Sequence, residues 1–340
     1  MTRSWYTAWA SAYLPMNRWV GPMSWLVARD AAQHALAIIP LARQRWPGLT
    51  VTSLGGHYWP FRTIPMVADE GRLQQTCRAV AAFVSSRRAL RTWRLGPVPR
   101  HDPAVRGLLD ALAERDWLVL EKSIGDTYAV LMPPDLELYE RELGSHLLKK
   151  VAYFERRLRK LGDVEIRTFS PADPADWLKV LGDLASVEGN SWVMKEEHGA
   201  SKFVGTRNRR FWEEVISSKP VAEALRVWML YAQGKAASYS FNIDSGPTKY
   251  ILANGYDETL KEHSTGTILA YHLLRDASQR GMTTVEWGLS DSGYKSRWHA
   301  VPHLELVDFI VMPRTMIGRL QATLLVKKGG YRPTAVVGRG

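Results

Sequence analysis

The stretch TKYILANGYDETLKEHSTGTILAYHLL, residues 248–274, starts as a strand, passes through a polar turn and ends as an apolar helix. Between strand and helix lies HSTGT, His263 to Thr267, where the first turn of a helix leaves backbone N–H groups without partners. Small hydroxyl residues at that point have two readings. Ser and Thr are good N-caps, and a cap needs no ligand. A helix start with open amides is also a ready anion site, suited to phosphate or pyrophosphate. Taken alone, the stretch leaves both open.

Working outward, the pattern of strand, turn and helix repeats. On the N-terminal side, SWLVARDAAQHALAIIPLARQ predicts two strands around a short turn, and VTSLGG a third. GRLQQTCRAVAAFVSSR, residues 71–87, has Leu73, Cys77, Val80, Ala81 and Val84 at helical spacing. A strand over ALRTWRLGPV follows, then a helix opened by Asp102 as N-cap with Pro103 at its first position. WLVLEKSIGDTYAVLMPP predicts two more strands. A helix over DLELYERELGSHLLKKVAYFERRLRKLG carries an apolar stripe of Leu147, Val151, Phe154, Leu158 and Leu161. Its segment from Leu148 to Lys160 holds six basic residues against one acid, Glu155. Beyond it the pattern predicts strand VEIRTF, helix PADWLKVLGDLASVEG, loop NSWVMKEEHGA and helix TRNRRFWEEVISS. Strands ALRVWMLYAQ and KAASYSFNID lead into the opening stretch. Strand TTVEWGL, a short helix around GYKSRW and strand LELVDFIVM come after it. The expected fold class is α/β or α+β, a mixed plan built twice, with the boundary near residues 133–145.

Composition sets the outer bounds. The 340 residues, 46% hydrophobic and 23% charged, fit an ordinary globular protein of about two domains. Cys77 is the single cysteine, so no intrachain disulfide forms and a reducing compartment is the default. The N-terminal MTRSWYTAWASAYLPM lacks the apolar run of a signal peptide. No stretch has the ~20 apolar residues of a membrane span, so the expected location is cytoplasmic. A net charge of +11 attracts polyanions, whether nucleic acid, anionic membrane or a phosphorylated cofactor; a genome rich in Arg codons gives the same composition. The chain has no GxxxxGK[ST], no GxGxxG after a strand, no GxSxG and no HExxH. His299 and His303 have the spacing of helical zinc ligands, but Pro302 lies between them, and no metal is expected. Cys77 falls on a helix stripe and is expected in the core.

Between Glu188 and Trp298 the motifs form an ordered set: NSW (190–192), YDE (256–258), HSTG (263–266), an amphipathic helix, then VEWGLSDSGYKSRW (285–298). Together with the basic helix, this set resembles the CelD-like (BioF-like) acetyltransferases, a branch of the GNAT superfamily related to the Fem-type aminoacyl transferases of peptidoglycan synthesis. The likeness covers roughly residues 130–310. Thr265 stands where that branch has proline, Glu286 where it has Asp, and Ser290 where it has Gly.

The resemblance implies two tandem GNAT-like domains, each a mixed central sheet flanked by helices. Residues 1–135 would be a degenerate copy and 136–340 the copy that carries the donor site. An acyl-CoA, such as acetyl-CoA, would lie in a splay between central strands, with its pyrophosphate on Ser264, Thr265, Gly266 and Thr267. Transfer to an amine needs a base, and the candidates are Glu188, Asp257 and Glu286. Lys295 would neutralise an anionic group, and Tyr294 would pack or donate to the leaving group. Trp192, Trp287 and Trp298 would line the cleft, with Tyr239, Asn254 and Tyr256 facing it. The acceptor would be an amine of a small molecule or of a cell-envelope or natural-product precursor. Two other classes stay open: a Fem-type enzyme using aminoacyl-tRNA, which suits the basic helix, and a non-catalytic GNAT-like binding protein.

Overall fold

The computed structural model describes residues 3–15, 21–46, 49–56, 63–64, 70–87, 92–195, 201–291 and 293–334. The beginning of the ALRTWRLGPV segment, residues 196–200 of the NSWVMKEEHGA loop and Ser292 of the GYKSRW region lie outside these residues. In chain order the elements are α1 (Arg3–Tyr13), β1 (Ser24–Arg29), β2 (Ala35–Trp46), β3 (Leu49–Leu54), α2 (Glu70–Ser86), β4 (Trp93–Pro99), α3 (Pro103–Ala113) and β5 (Trp117–Leu131). There follow α4 (Leu136–Arg159), β6 (Val164–Phe169), α5 (Pro174–Gly189), α6 (Thr206–Val215), α7 (Lys219–Ala224), β7 (Leu225–Ala232), β8 (Lys235–Ser245) and β9 (Thr248–Tyr256). The chain closes with α8 (Thr265–Gln279), β10 (Thr284–Leu289), β11 (Val301–Pro313), α9 (Met316–Gly329) and β12 (Arg332–Pro333).

The chain divides into two compact units. One comprises residues 3–126 and 304–340, the other residues 127–303. The C-terminal segment therefore belongs with the N-terminal unit, whereas the sequence placed it with the second half. The reason is packing: Val307, Phe309 and Val311 of β11 join the apolar cluster of Cys77, Val80, Leu108 and Leu112 from α2 and α3. In this unit β1, β2 and β3 pair antiparallel, β4 pairs parallel with β3, and β11 pairs antiparallel with β4. WLVLEKSIGDTYAVL forms one strand, β5, and not two. The polar run in its middle is extended and exposed, and Gly125, at φ 129°, carries the chain through. α1 and α9 are helices that the sequence reading did not identify.

The unit of residues 127–303 holds a six-strand sheet in the order β5, β10, β9, β8, β7, β6. All neighbours are antiparallel except β9 and β10. α4 starts at Asp135, whose carboxylate accepts from the Leu138 amide at 2.7 Å, and it breaks at Gly144, which has φ 78°. Leu143, Leu147 and Val151 of α4 pack with Leu273, Leu274 and Ala277 of α8 over Ile251, Val285 and Trp287 of the sheet. Leu161 of the expected stripe lies past the end of α4 and is exposed.

The opposite face is aromatic. Phe241 meets Trp212 edge-on at 4.6 Å between centroids, Phe203 at 5.3 Å and Trp177 at 6.2 Å. Register accounts for the two faces: Phe241 pairs with Ala253, Asn242 pairs with Ile251, and Leu252 bulges between them. Phe241→Ala should therefore destabilise this unit by about 3–5 kcal/mol. Chemical denaturation measures this, and a loss below about 1 kcal/mol would show that the aromatic face does not hold α5 to the sheet.

Candidate active site

The ladder between β9 and β10 is short. Thr248, Lys249 and Tyr250 pair with Thr284, Val285 and Glu286, and there it stops. Irregularities follow on both strands: the bulge at Leu252 in β9, and a register break against β5 between Glu286 and Leu289, where Gly288 has φ 76°. Bulges bend strands and increase local twist, so the two strands part. A cavity of about 880 Å³ fills the gap, lined by Ile251 to Tyr256 on one side and by Trp287, Leu289 and Ser290 on the other.

The start of α8 forms one wall. Ser264, Gly266 and Thr267 line the cavity. Ser264 adopts the left-handed conformation, φ 51° and ψ 43°, and its hydroxyl makes no capping bond, so the cap reading of this serine fails. The Ser264 carbonyl accepts from the amides of Thr267 and Ile268, at 2.9 and 3.1 Å. Thr265 and Gly266 begin α8, and the amides of a helix's first turn have no acceptor within the helix. Thr265 is buried with its hydroxyl toward the Ala237 carbonyl at 3.4 Å, and its side chain is off the wall. A Cβ on Gly266 would meet Tyr256 at 3.5 Å, an ordinary contact. The protein itself therefore does not need a glycine there.

The same wall holds Tyr294 and Lys295. Tyr294 donates to the Gly266 carbonyl at 3.3 Å and meets Trp287 edge-on at 5.9 Å. Burial pushes its hydroxyl up to about 12, so it stays protonated at neutral pH. Lys295 is half-buried and is not the exposed decoration a helix-end lysine would be. Its Nζ donates to the carbonyls of Gly288 at 2.8 Å and Leu289 at 2.7 Å, tying down the end of β10. Burial lowers its amine to about 8, with the Asp291 and Glu286 carboxylates opposing. Asp291 orders the turn by accepting from the amides of Lys295 and Ser296, at 2.7 and 2.9 Å.

Across the gap, on the α5 side, stand Glu188, Trp192, Lys202 and Tyr239. Glu188 is buried, and its carboxylate accepts from the amides of Lys202, Phe203 and Val204, at 2.8, 2.6 and 3.1 Å, and from the Tyr239 hydroxyl at 3.4 Å. It therefore holds the 202–204 loop as well as bordering the cavity. Lys202 was not anticipated from the sequence. It lies in an aperiodic loop, and only its place after the NSW motif marked it. Burial lowers its amine, and Glu188 opposes. Tyr239 packs on Gly255, its partner in register, where a Cβ would come within 2.7 Å. Asn254 and Tyr256 line the cavity as expected, on the face opposite Gly255, and Asn254 pairs with Ser240.

Three other expected site residues lie off the wall. Asp257 caps the turn Glu258–His263, accepting from the Thr259 amide at 2.9 Å and hydroxyl at 2.7 Å, and Asn190 donates to it at 3.1 Å. This bond links the NSW and YDE motifs directly. Glu286 points to the other face of β10, because alternation turns it away from Val285 and Trp287. There it meets His303 Nδ1 at 2.6 Å and the Thr127 hydroxyl at 3.3 Å. Trp298 is fully buried in the cluster with Tyr139 and Leu143, so it packs and does not line.

Residues 145–296 match the model of the acetyltransferase (GNAT) domain. No curated protein matches the sequence. Among solved structures, FemX is similar at TM-score 0.56 and 12% identity, covering 92% of this chain and 93% of its own. A conserved protein of unknown function from Bacteroides thetaiotaomicron aligns at TM-score 0.53 and 12% identity, covering 92% and 90%. The C-terminal domain of an Agrobacterium fabrum protein assigned as a lysylphosphatidylglycerol synthetase aligns at TM-score 0.51 and 12% identity, covering 98% and 97%. These likenesses are of fold.

The Lys295 geometry generates a prediction. A folded-state value near 8 lies below the ordinary 10.5, so between those values the unfolded chain holds the proton more tightly. Stability contributed by this group therefore rises with pH across that window. NMR of ε-labelled lysine should show a midpoint near 8 for Lys295, and an ordinary midpoint would contradict the burial. Lys295→Met should also cost about 1–3 kcal/mol by orphaning two carbonyls. With the motifs placed on this geometry, residues 145–296 are similar to the acetyltransferase (GNAT) domain, a match that spans under half of the chain.

Proposed function

We propose that the domain moves an acyl group from acyl-CoA to an amine, with the donor lying in the gap between β9 and β10. The observation that carries this is the shared cavity. It joins an unpaired strand edge, residues 251–256, to a helix start whose residue 266 lacks a side chain that the protein has room for. A strand edge without a ladder partner can pair with the amides of an extended pantetheine arm. Open amides at the start of α8 attract a pyrophosphate, and the field of the helix favours its negative charge. Gly266 lets that anion approach the backbone closely. Lys295 adds positive charge to the same wall.

The acceptor amine then enters from the α5 side. It must lose a proton before attack, because a protonated amine is not a nucleophile. Of the three expected carboxylates only Glu188 borders the cavity, so the base role is assigned to Glu188, with Tyr239 hydrogen-bonded to it and Lys202 beside it. Attack of the amine nitrogen on the thioester carbonyl forms the new C–N bond, and the C–S bond breaks as the thiolate leaves. Tyr294, protonated at neutral pH, supplies the proton to the leaving sulfur.

A second reading replaces acyl-CoA with aminoacyl-tRNA. The observation behind it is the basic face of α4, where Lys149, Lys150, Arg156 and Lys160 are all exposed. Arg157 of the same helix pairs with Glu262 at 3.2 Å, in the turn before α8.

Calorimetric titration with acetyl-CoA tests the proposal. The wild type should bind, and Gly266→Ala, which leaves the fold room, should bind about tenfold or more weakly, roughly 1.4 kcal/mol. Equal binding by both proteins would place the donor elsewhere. If the wild type ignores CoA but binds charged tRNA with a steep salt dependence, and neutralising Lys149, Lys150 and Arg156 flattens it, the second reading holds. Failure of both donors would leave a binding protein without the chemistry.

A further inference from the structure

α9 has two apolar faces, and only one of them is used. Gly318 and Ala322 are buried, with Ala322 and Leu325 against Leu120, Ile310 and Met312 of the sheet. Met316, Leu320 and Leu324 recur every four residues on the other side, with Ile317 beside them, and on a helix that spacing makes one stripe. These four are exposed by 89%, 63%, 49% and 62% respectively. A soluble helix that turns its large aliphatic residues to water and its small ones to the core reverses the usual pattern.

The charges around the stripe carry one sign. Residues 309–340 contain six Arg and Lys and no Asp or Glu. Two of the six are used within the unit, Arg314 on Asp116 at 2.9 Å and Arg332 on Glu121 at 2.9 Å. Arg319, Lys327 and Lys328 are exposed on α9 and form no ion pair among the described residues. At the start of the helix, a cavity of about 250 Å³ lies against Ile317 and Gln321, with Arg43, Thr50 and Thr92 on its other side. Arg43 is exposed and is likewise unpaired among the described residues.

Exposed aliphatic side chains flanked by unopposed cations are the complement of one kind of surface, an apolar layer under a sheet of negative charge. We propose that α9 docks on an anionic phospholipid bilayer. Met316, Ile317, Leu320 and Leu324 would enter the headgroup boundary, and Arg319, Lys327, Lys328 and Arg43 would meet the lipid phosphates. A second copy of the chain would cover the apolar stripe as well, but it would bring the same uncompensated positive charge against itself. No helix among the described residues is long and apolar enough to cross a membrane, so the contact is interfacial, in the plane of the membrane.

The test is co-sedimentation of the full chain with vesicles of phosphatidylcholine, alone or with about one third phosphatidylglycerol. The chain should pellet with the anionic vesicles, much less with the neutral ones, and release as salt rises. Leu320→Glu with Leu324→Glu should lower the bound fraction about tenfold or more, at an unchanged melting temperature because both sites are exposed. Lys327→Gln with Lys328→Gln, which leaves the stripe intact, should weaken binding and flatten its salt dependence. Binding to neither vesicle, or binding that the Leu320/Leu324 variant retains, would overturn the proposal. So would a dimer in solution that the same variant dissolves without any vesicle binding.

Discussion

The unit of residues 127–303 depends on one break in its hydrogen bonding. After Tyr250 and Glu286 the parallel ladder of β9 and β10 ends, because each strand loses register in the next few residues. An interrupted ladder in the middle of a sheet is costly, since it leaves backbone groups without partners in a place that water reaches poorly. The surroundings are arranged to hold it open. Lys295 reaches across to the carbonyls of Gly288 and Leu289, and Tyr294 fastens that same turn to the first turn of α8 through the Gly266 carbonyl. Glu188 fixes the 202–204 loop with three amide contacts. The asparagine of NSW is bonded to the aspartate of YDE. The motifs that stand far apart in the chain thus meet around the gap.

This arrangement gives the cavity two unlike walls. The α8 side offers open amides, a glycine and a lysine, which together suit an anion. The α5 side offers an aromatic ring, a buried carboxylate, a phenol and a second lysine, which suit an uncharged or transiently charged polar group. Lys295 and Lys202 are both held below the ordinary lysine range by burial. A lysine in that condition gains from an added negative charge, because the neighbouring carboxylates offset its desolvation only in part. The two walls of the cavity therefore differ in chemistry, with the anion-suited groups at the start of α8 and the carboxylate and phenol on the α5 side.

The legible parts of the sequence were those with a single periodicity. Strand, turn and helix around 248–279 could be read directly, as could α3 from Asp102 and Pro103, and Cys77 lies in the core where its spacing put it. α9 was missed because its two apolar faces cancel any one helical stripe. β5 reads as two strands because a polar run at its centre resembles a turn, whereas the backbone stays extended from Trp117 to Leu131. At the site, residues tied to motifs were brought together: Ser264, Gly266, Tyr294 and Lys295 share one wall. Glu286 and Trp298 turned away because strand phase and core packing are set by the bulges and by α4, neither of which the local sequence reveals. Asp257 is occupied as a cap, a role its neighbour Thr259 could have signalled.

Backbone hydrogen exchange with and without acetyl-CoA tests the central claim most directly, namely that the gap between β9 and β10 is the donor site. Amides of Thr248 to Tyr250 are in the ladder and should be protected in both states, whereas those of Ile251 to Tyr256 that face β10, and those of Thr265 and Gly266, should slow only when the donor is bound. Protection that appears elsewhere, with residues 251–256 and 264–267 unchanged, would contradict a donor held in the gap.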